Sequence, residues 1–333
     1  MINMETNNTF IEVFAGCGGL STGLVKSGFV PLLLVDNVKD CVETLKLNHP
    51  ETKVKKIDVT KLHLDEYKGK VYILAGGIPC QSWSFAGKRR GLEDKRGNLF
   101  MDFIRLIEEC DPSIFVIENV HGLLTHNKGE TFKMLKEMLS INHTYTIDYK
   151  LLNSNDYDVP QKRKRVFIIG TKKEKKLIYD FPEPFNPGTT LVDAFKDIPE
   201  CSEGFGYPER KLELFKKIPP GGCWINLSKE EQNDYLGKSM ESGGGKRGIL
   251  RRLSMDDPSL TLLTTPSQKQ TERCHPIEDR PLNIQEYARI QTFPDNYKFY
   301  GSTSSKYKQI GNAVPVNLAY HVGLSIMDIG YNV

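Results

Sequence analysis

In Gly76-Gly-Ile-Pro-Cys-Gln-Ser-Trp-Ser84 a cysteine stands directly behind a proline, just after the apolar run Val71-Tyr-Ile-Leu-Ala75. A parallel strand ending there would open its carboxyl edge at Cys80, where a nucleophile is well placed. A second strand-like run, Ser113-Ile-Phe-Val-Ile117, ends in Glu118-Asn-Val120, so an acid would emerge beside the thiol on the same edge of one sheet. A thiol plus a carboxyl is a working pair for nucleophilic and acid–base chemistry. Taken alone, Cys80 would more often be an inert thiol. Its place after Pro79, in a loop that also carries Gly76, Gly77 and Gln81, turns the reading toward a nucleophile.

Phe14-Ala-Gly-Cys-Gly-Gly-Leu-Ser-Thr-Gly23 follows the first strand-like run and opens the first helix, so its glycines would let backbone approach a ligand at the sheet edge. The spacing is Gly16-x-Gly18-Gly19, with Ser21 where a dinucleotide fingerprint wants its third glycine. Asp36 lies twenty residues after Gly16, at the end of the second run, where a carboxylate suits ribose hydroxyls. Asp58, after Val54-Lys-Lys-Ile57, is a third strand-end carboxylate and could accept from an adenine amino group. Each of these alone is also compatible with an ordinary turn. Gln161-Lys-Arg-Lys-Arg-Val-Phe-Ile-Ile169 runs from a basic cluster into a strand, and alternation places Arg163 and Arg165 on one face, Lys162 and Lys164 on the other.

The elements that must position these groups are strand-length runs (Phe10 to Phe14, Pro31 to Val35, Val71 to Ala75, Ile114 to Ile117, Arg165 to Ile169). They alternate with helix-like stretches such as Asp40 to Leu47, Asn98 to Glu109 and Glu130 to Leu139. That rhythm predicts a doubly wound α/β sheet. Beyond Gly170, Phe181-Pro-Glu-Pro-Phe-Asn-Pro-Gly188, Ile218-Pro-Pro-Gly-Gly222 and Ser242-Gly-Gly-Gly245 read as a second, smaller, loop-rich domain. A helix-like stretch after Gly311-Asn-Ala-Val-Pro315 returns to the first domain, making it discontinuous.

With 333 residues and 39% hydrophobic composition, the chain can bury a sizeable core. Seven scattered cysteines without a Cys-x-x-Cys pair argue against a disulfide framework and a zinc ribbon, and no metal is expected. No apolar run approaches the ~18 residues of a membrane helix, so a cytoplasmic protein is expected. The net charge of +3 is too small to demand a nucleic-acid partner; clusters matter more.

Taken in order, these blocks resemble the C5-cytosine DNA methyltransferases of compact prokaryotic or phage type. Those that match are Phe14 to Gly19, Gly76 to Gln81, Gly91-Leu-Glu-Asp-Lys-Arg-Gly-Asn-Leu-Phe100, Glu118-Asn-Val120, Gln161 to Arg165, Arg289-Ile-Gln-Thr-Phe-Pro294 and Gln309-Ile-Gly-Asn-Ala-Val-Pro315. They span residues 10 to 320 and leave mainly 171 to 250 unmatched. One departure is Asp36, where the family usually has glutamate and often a bulkier neighbour than Asn37.

The resemblance implies a Rossmann-like, S-adenosyl-L-methionine-dependent sheet with a loop-rich target-recognition domain. Its expected division is residues 1–183 with 305–333 catalytic, 184–283 target-recognition and 284–304 a hinge. It implies Cys80 as the nucleophile on cytosine carbon 6, Glu118 as the acid on ring nitrogen 3, Arg165 on the carbonyl oxygen and Arg163 in support. It further implies S-adenosyl-L-methionine held by Phe14, the Gly16, Cys17, Gly18, Gly19 and Leu20 loop, Asp36, Asn37, Asp58, Val59, Pro79, Leu99, Asn312 and Ala313, with S-adenosyl-L-homocysteine as product. The missing third loop glycine agrees, since this cofactor has no pyrophosphate to dock.

A cytosine inside a duplex must be swung out of the stack to meet a thiolate, so double-stranded DNA is the implied partner. Gln81, Ser84, Lys88 and Arg96, in a loop that would close on DNA, are candidate contacts. Between 171 and 283 there are 18 Lys+Arg and 18 Asp+Glu, so local patches must supply phosphate and base contacts. The best is Lys246-Arg-Gly-Ile-Leu-Arg-Arg252, giving Arg247, Arg251 and Arg252.

A monomer is expected, with a cognate restriction endonuclease as a possible partner at the same site. The rival readings are methylation of transfer RNA, whose family branch should carry a Cys-Phe-Thr segment absent here, and a catalytically silent DNA-binding protein. The broken glycine spacing disfavours a nicotinamide dehydrogenase.

Overall fold

The strand Thr9–Val13 (β1) is interior on both faces, with Phe10, Ile11 and Val13 fully buried. A strand covered on both sides reads as a near-continuous apolar run, and here that run is broken only by Glu12. The computed structural model describes residues 8–79, 99–237 and 248–331. After β1 come Gly19–Lys26 (α1), Val30–Asp36 (β2), Lys39–Asn48 (α2), Lys53–Lys56 (β3), Ile73–Gly77 (β4), Leu99–Cys110 (α3) and Ile114–Val120 (β5). Gly122–Thr125 (α4), Glu130–Leu139 (α5), Tyr145–Asn153 (β6), Gln161–Lys162 (β7) and Lys164–Lys172 (β8) complete the first part.

Among the described residues a seven-stranded sheet has the order β3-β2-β1-β4-β5-β8-β6. The first five strands are parallel, while β8 runs antiparallel to both β5 and β6. The chain leaves β1 toward β2 on one side and returns to β4 on the other. The carboxyl ends of β1 and β4 therefore flank the crevice in which open α/β sheets bind ligands. One sheet face packs Ile11 and Val13 against α3 and α5 through Phe103, Phe132 and Leu135. The other packs Phe10 and Ala75 under α1 and a last helix, Val316–Tyr331, through Leu20, Leu24, Leu318 and Val322.

Between β8 and that last helix the elements are short: Leu191–Phe195 (α6), Glu209–Phe215 (α7), Lys229–Leu236 (α8), Ser259–Leu260 (β9), Ile284–Ile290 (α9) and Thr303–Asn312 (α10). The last helix is thus α11. A cluster of Tyr207, Phe215, Ile218, Leu236, Leu250 and Cys274 forms its own small core here. The strand β6 has no counterpart among the runs picked out by sequence. Its Thr146, Lys150 and neighbours face solvent at the sheet edge, so apolar periodicity gives it no signal.

The first and last helices meet through small residues. A Cβ on Gly19 would lie 2.2 Å from the Val314 carbonyl oxygen, and one on Gly23 would lie 2.4 Å from the Ala319 Cβ. This contact presses the glycine loop against the segment before α11. Gly23→Ala should force the two helices apart and cost about 1–3 kcal/mol of stability. Urea unfolding measures this, and an unchanged midpoint would mean that the helix contact is looser than the structure shows.

Candidate active site

The crevice at the ends of β1, β2, β4 and β5 holds a cavity of about 880 Å³, within the ~300–1,000 Å³ range of small-molecule sites. Its first wall is the loop after β1. Phe14 takes a left-handed backbone (φ 55), an uncommon conformation for a bulky residue, which turns the chain sharply out of the strand. Gly16 is also left-handed (φ 56), and a Cβ there would meet nothing within 4 Å, so its backbone faces open space. The Gly16 N–H donates to Asp36 Oδ2 and the Val38 N–H to Asp36 Oδ1, both at 2.8 Å, locking the carboxylate between two strand ends. Burial pushes the Asp36 carboxyl up, and those backbone N–H groups pull it back. Asp58 is held below its usual range by the Thr60 N–H and hydroxyl, which bond its Oδ1.

Phe14, Gly16, Cys17, Gly19, Leu20, Asp36, Asn37, Asp58, Val59, Pro79, Leu99, Asn312 and Ala313 all border this one cavity. Gly18 does not. A Cβ on it would lie 2.6 Å from the Tyr297 hydroxyl, which donates to the Cys17 carbonyl at 2.6 Å, so Gly18 admits a tyrosine that pins the loop from behind. Cys17 is buried, its thiol donating to the Gln309 carbonyl at 3.3 Å, and burial pushes that thiol far up, making it an inert tether.

The opposite wall carries Glu118, Arg163 and Arg165. Glu118 pairs across the sheet with Gly77 and Phe167. A Cβ on Gly77 would come within 3.3 Å of Glu118 Oε2, so the strand-end glycine clears room for the carboxylate. Arg165 Nε donates to Glu118 Oε1 at 2.8 Å, an ion pair with both side chains mostly shielded from water. Asn119 Nδ2 donates to the Ile78 carbonyl at 2.9 Å, tying β5 to the loop that leads to Pro79. Arg163 is 1% exposed, with one guanidinium N–H on the Leu262 carbonyl and its Nε without a partner among the described residues. Burial, then the neighbouring Arg165, pulls its pKa down to about 9, which leaves it charged near neutrality. Lys162 and Lys164 point to solvent, so the alternation expected of this run is observed.

Some cavity residues are not among the candidates drawn from the sequence. Glu12, Thr264, Gln268, Ser305, Lys308 and Gln309 also line it. Glu12 had a visible signal, a lone acid inside the apolar run of β1. Thr264 and Gln268 lie in a polar loop brought in only by tertiary folding.

Of the DNA-contact candidates, Cys80's neighbours Gln81, Ser84, Lys88 and Arg96, and also Arg247, lie outside the described residues, as does Cys80 itself. Arg251 is half-buried, with no ion-pair partner among the described residues and its Nε unsatisfied. The expectation for Arg252 is corrected. It is 3% exposed and donates to the carbonyls of Ile218, Phe215, His275 and Glu278 while pairing with Asp279, so no N–H remains for a nucleic acid. The basic cluster was read as one patch, but Arg252 turns into the small core while Arg251 stays half-buried.

His63, Asp65 and Glu109 could in principle share a metal ion. They lie away from the cavity, and Glu109 is already spent on Arg105 and the Leu64 N–H.

Residues 8–328 match the family described as C-5 cytosine-specific DNA methylase. The chain is 46% identical to the Type II methyltransferase M.Eco47II of Escherichia coli, covering 96% of this chain and 79% of that protein. It is 45% identical to M.Sau96I of Staphylococcus aureus, covering 98% and 77%. Among solved structures, an E. coli prophage protein assigned as a DNA modification methyltransferase superposes with a TM-score of 0.72 at 25% identity, over 97% of this chain and 99% of that one. The DNMT2 mutant of Spodoptera frugiperda, at 16% identity and a TM-score of 0.69 over 96% and 99%, shares the fold alone.

Arg252→Ala should remove roughly 3–5 kcal/mol of stability, because it strands Asp279 and four backbone carbonyls. Chemical denaturation checks this, and a variant as stable as the parent would mean the guanidinium is not a structural tie.

Proposed function

The chain belongs to the family of C-5 cytosine-specific DNA methylases and is a DNA cytosine-5 methyltransferase, and from that premise we propose how its residues divide the reaction. That activity stands above the rival readings of transfer-RNA methylation and of a silent DNA-binding protein.

S-adenosyl-L-methionine, when bound, supplies an electrophilic methyl group and leaves as S-adenosyl-L-homocysteine. The residues present suit it: an open backbone at Gly16, an anchored carboxylate at Asp36 for ribose hydroxyls, and Asp58 for an adenine amino group. Phe14 lies beside the adenine end. The loop from Gly16 to Leu20 takes the amino-acid end, and Asn37, Val59, Pro79, Leu99, Asn312 and Ala313 close the pocket. Cys17 and Gly18 serve by fixing the loop.

The target cytosine swings out of the duplex into the other half of the cavity. Carbon 5 of cytosine is a poor nucleophile, so the Cys80 thiolate first adds to carbon 6. Glu118 supplies a proton to ring nitrogen 3 as the ring takes up electrons, and Arg165 holds the adjacent carbonyl oxygen. Nitrogen 3 and that oxygen are neighbouring acceptors on one edge of the base. The observation that carries the reading is the ion pair of Glu118 and Arg165 at 2.8 Å, which presents acid and cation side by side to such an edge. Arg163, behind both, keeps the field positive. After methylation the carbon 5 proton leaves and the thiolate is expelled.

DNA contacts are assigned to Gln81, Ser84, Lys88, Arg96, Arg247 and Arg251. The separate small core between Tyr207 and Cys274 supports a target-recognition unit of 184–283, with 1–183 and 305–333 catalytic and 284–304 a hinge. The relatives' Type II designation supports a cognate restriction endonuclease acting on the same DNA. No described helix is long and apolar enough to cross a membrane; a cytoplasmic monomer without a metal is the simplest form of such an enzyme.

Bisulfite sequencing of plasmid DNA from cells expressing the protein should show protected cytosines in one short sequence. Cys80→Ser should abolish them, and Glu118→Gln or Arg165→Ala should slow purified enzyme about 10²–10⁴-fold while S-adenosyl-L-homocysteine still binds. A fully active Cys80→Ser protein would remove the thiolate from the mechanism.

A further inference from the structure

Arg273 is a buried arginine without an ion pair among the described residues. It is 5% exposed and stands next to Cys274, a member of the small core. The carboxylate of its other neighbour, Glu272, is taken up by Lys211 and the Leu250 N–H. Around Arg273 lie instead the hydroxyls of Tyr287 and Tyr207 and the like charge of Arg251. Burial pulls its pKa down to about 10, so it stays a cation near neutrality. A buried cation without an anion is costly, and an apolar side chain of similar volume would pack at least as well. Packing alone therefore gives no reason for an arginine here. Its Nε is shut off from solvent and has no partner among the described residues, so the side chain is not placed to read a base either.

The hydrogen bonds show where the guanidinium is used. One of its terminal nitrogens donates to the Glu272 carbonyl at 2.7 Å and the other to the Thr261 carbonyl at 2.8 Å, so the planar fork ties the small core to the chain that continues β9. On its far side that chain meets the arginine run of β7 and β8. Thr261 Oγ1 donates to the Lys162 carbonyl at 2.8 Å, the Leu262 N–H to Gln161 Oε1 at 2.9 Å, and the Leu262 carbonyl accepts from Arg163 at 3.1 Å. The Thr261 carbonyl and the Leu262 N–H are the two ends of one planar peptide unit. Arg273 and Gln161 thus fix a single plane from opposite edges, and only the φ and ψ of Leu262 separate it from the carbonyl that Arg163 grips. A second observation joins the two arginines: both act on the same buried hydroxyl, that of Tyr287 on α9.

We propose that Arg273 is a positioning residue for methyl transfer, which holds the Thr261–Leu262 peptide plane from the small core and through the Leu262 carbonyl sets the guanidinium of Arg163 behind Glu118 and Arg165. The inference rests on the role given to Arg163 above. Arg273 touches neither cofactor nor base. The same backbone ladder carries Arg251, whose carbonyl accepts the Cys274 N–H at 3.0 Å. The side chain assigned to DNA and the one that steadies the catalytic wall are therefore mounted side by side.

A double-mutant cycle on the purified full chain tests this, with methyl transfer to plasmid DNA and S-adenosyl-L-homocysteine binding as separate readouts. Methionine keeps the interior filled without charge or donors. Arg273→Met should lower kcat about 10- to 100-fold, counted per S-adenosyl-L-homocysteine site, while the affinity for that ligand and the KM for DNA stay within about twofold of the parent. Arg163→Met should lose at least as much. The double variant should be no slower than Arg163→Met alone, because one residue acts through the other. Arg273→Lys keeps the charge but can hold only one of the two carbonyls, so it should recover part of kcat. If the methionine variant does not fold, the same cycle is run with Arg273→Lys, whose smaller loss should likewise vanish beside Arg163→Met.

An unchanged kcat on altering Arg273 would overturn the assignment. So would losses that multiply in the double variant, which would make Arg273 a tie of the small core and nothing more. Full activity of Arg163→Met by itself would instead strike at the role of Arg163 in the reaction.

Discussion

Two buried glutamines hold the molecule's working parts in register. Gln161 donates through Nε2 to Gln291 Oε1 at 2.8 Å and accepts the Leu262 N–H at 2.9 Å; Gln291 in turn donates to the carbonyls of Ile310 and Ala313. Both side chains are fully buried. A buried amide left unpaired costs a few kcal/mol, so the four segments have one low-energy arrangement, with every amide satisfied. That arrangement fixes the start of the arginine run, the segment after β9, the end of α9 and the turn between α10 and α11. Arg163 follows two residues after Gln161, and its guanidinium grips the carbonyl of the same Leu262 whose N–H the glutamine holds. The wall that carries Arg163 and the wall opposite are thereby parts of one hydrogen-bonded unit.

Charge within the cavity is sorted by distance from β2. Asp36 and Asp58, with Glu12 nearby, give one half an acidic lining, while Arg163 and Arg165 make the other half positive around a single carboxylate. Arg163, Arg165 and Asp36 are largely shielded from water, so their fields are screened less than that of the exposed Asp58. The first half therefore favours a cationic occupant and the second an electron-rich one.

Most of the parallel half of the sheet was legible in sequence because β1, β4 and β5 are buried on both faces and read as near-continuous apolar runs. The strand-end residues Asp36, Asp58 and Glu118 could be placed for the same reason: the topology puts every such end on one edge. The strand β6 was not legible, since half its side chains face water and its partner β8 is fixed by pairing rather than by local pattern. Arg252 was misjudged because a run of bases says nothing about which way each side chain turns. Gly18 passed for a ligand-facing glycine, although its small size serves Tyr297, some 280 residues away in sequence. Gln309 looked like a motif residue, yet its side chain accepts from Thr44 and donates to the Tyr300 carbonyl, so it is a strut between α2 and α10.

The segment from Ser305 to Val314 borders the same cavity as the glycine loop near the chain's beginning, and α11 lies directly on α1. During synthesis the first wall of the pocket therefore waits, with Gly19, Gly23 and the back of β1 uncovered, until residues 305 to 331 have followed it from the ribosome. No partial chain can hold the cofactor pocket in its final form. The cavity is complete only when the short elements between β8 and α10, encoded in between, have already been made.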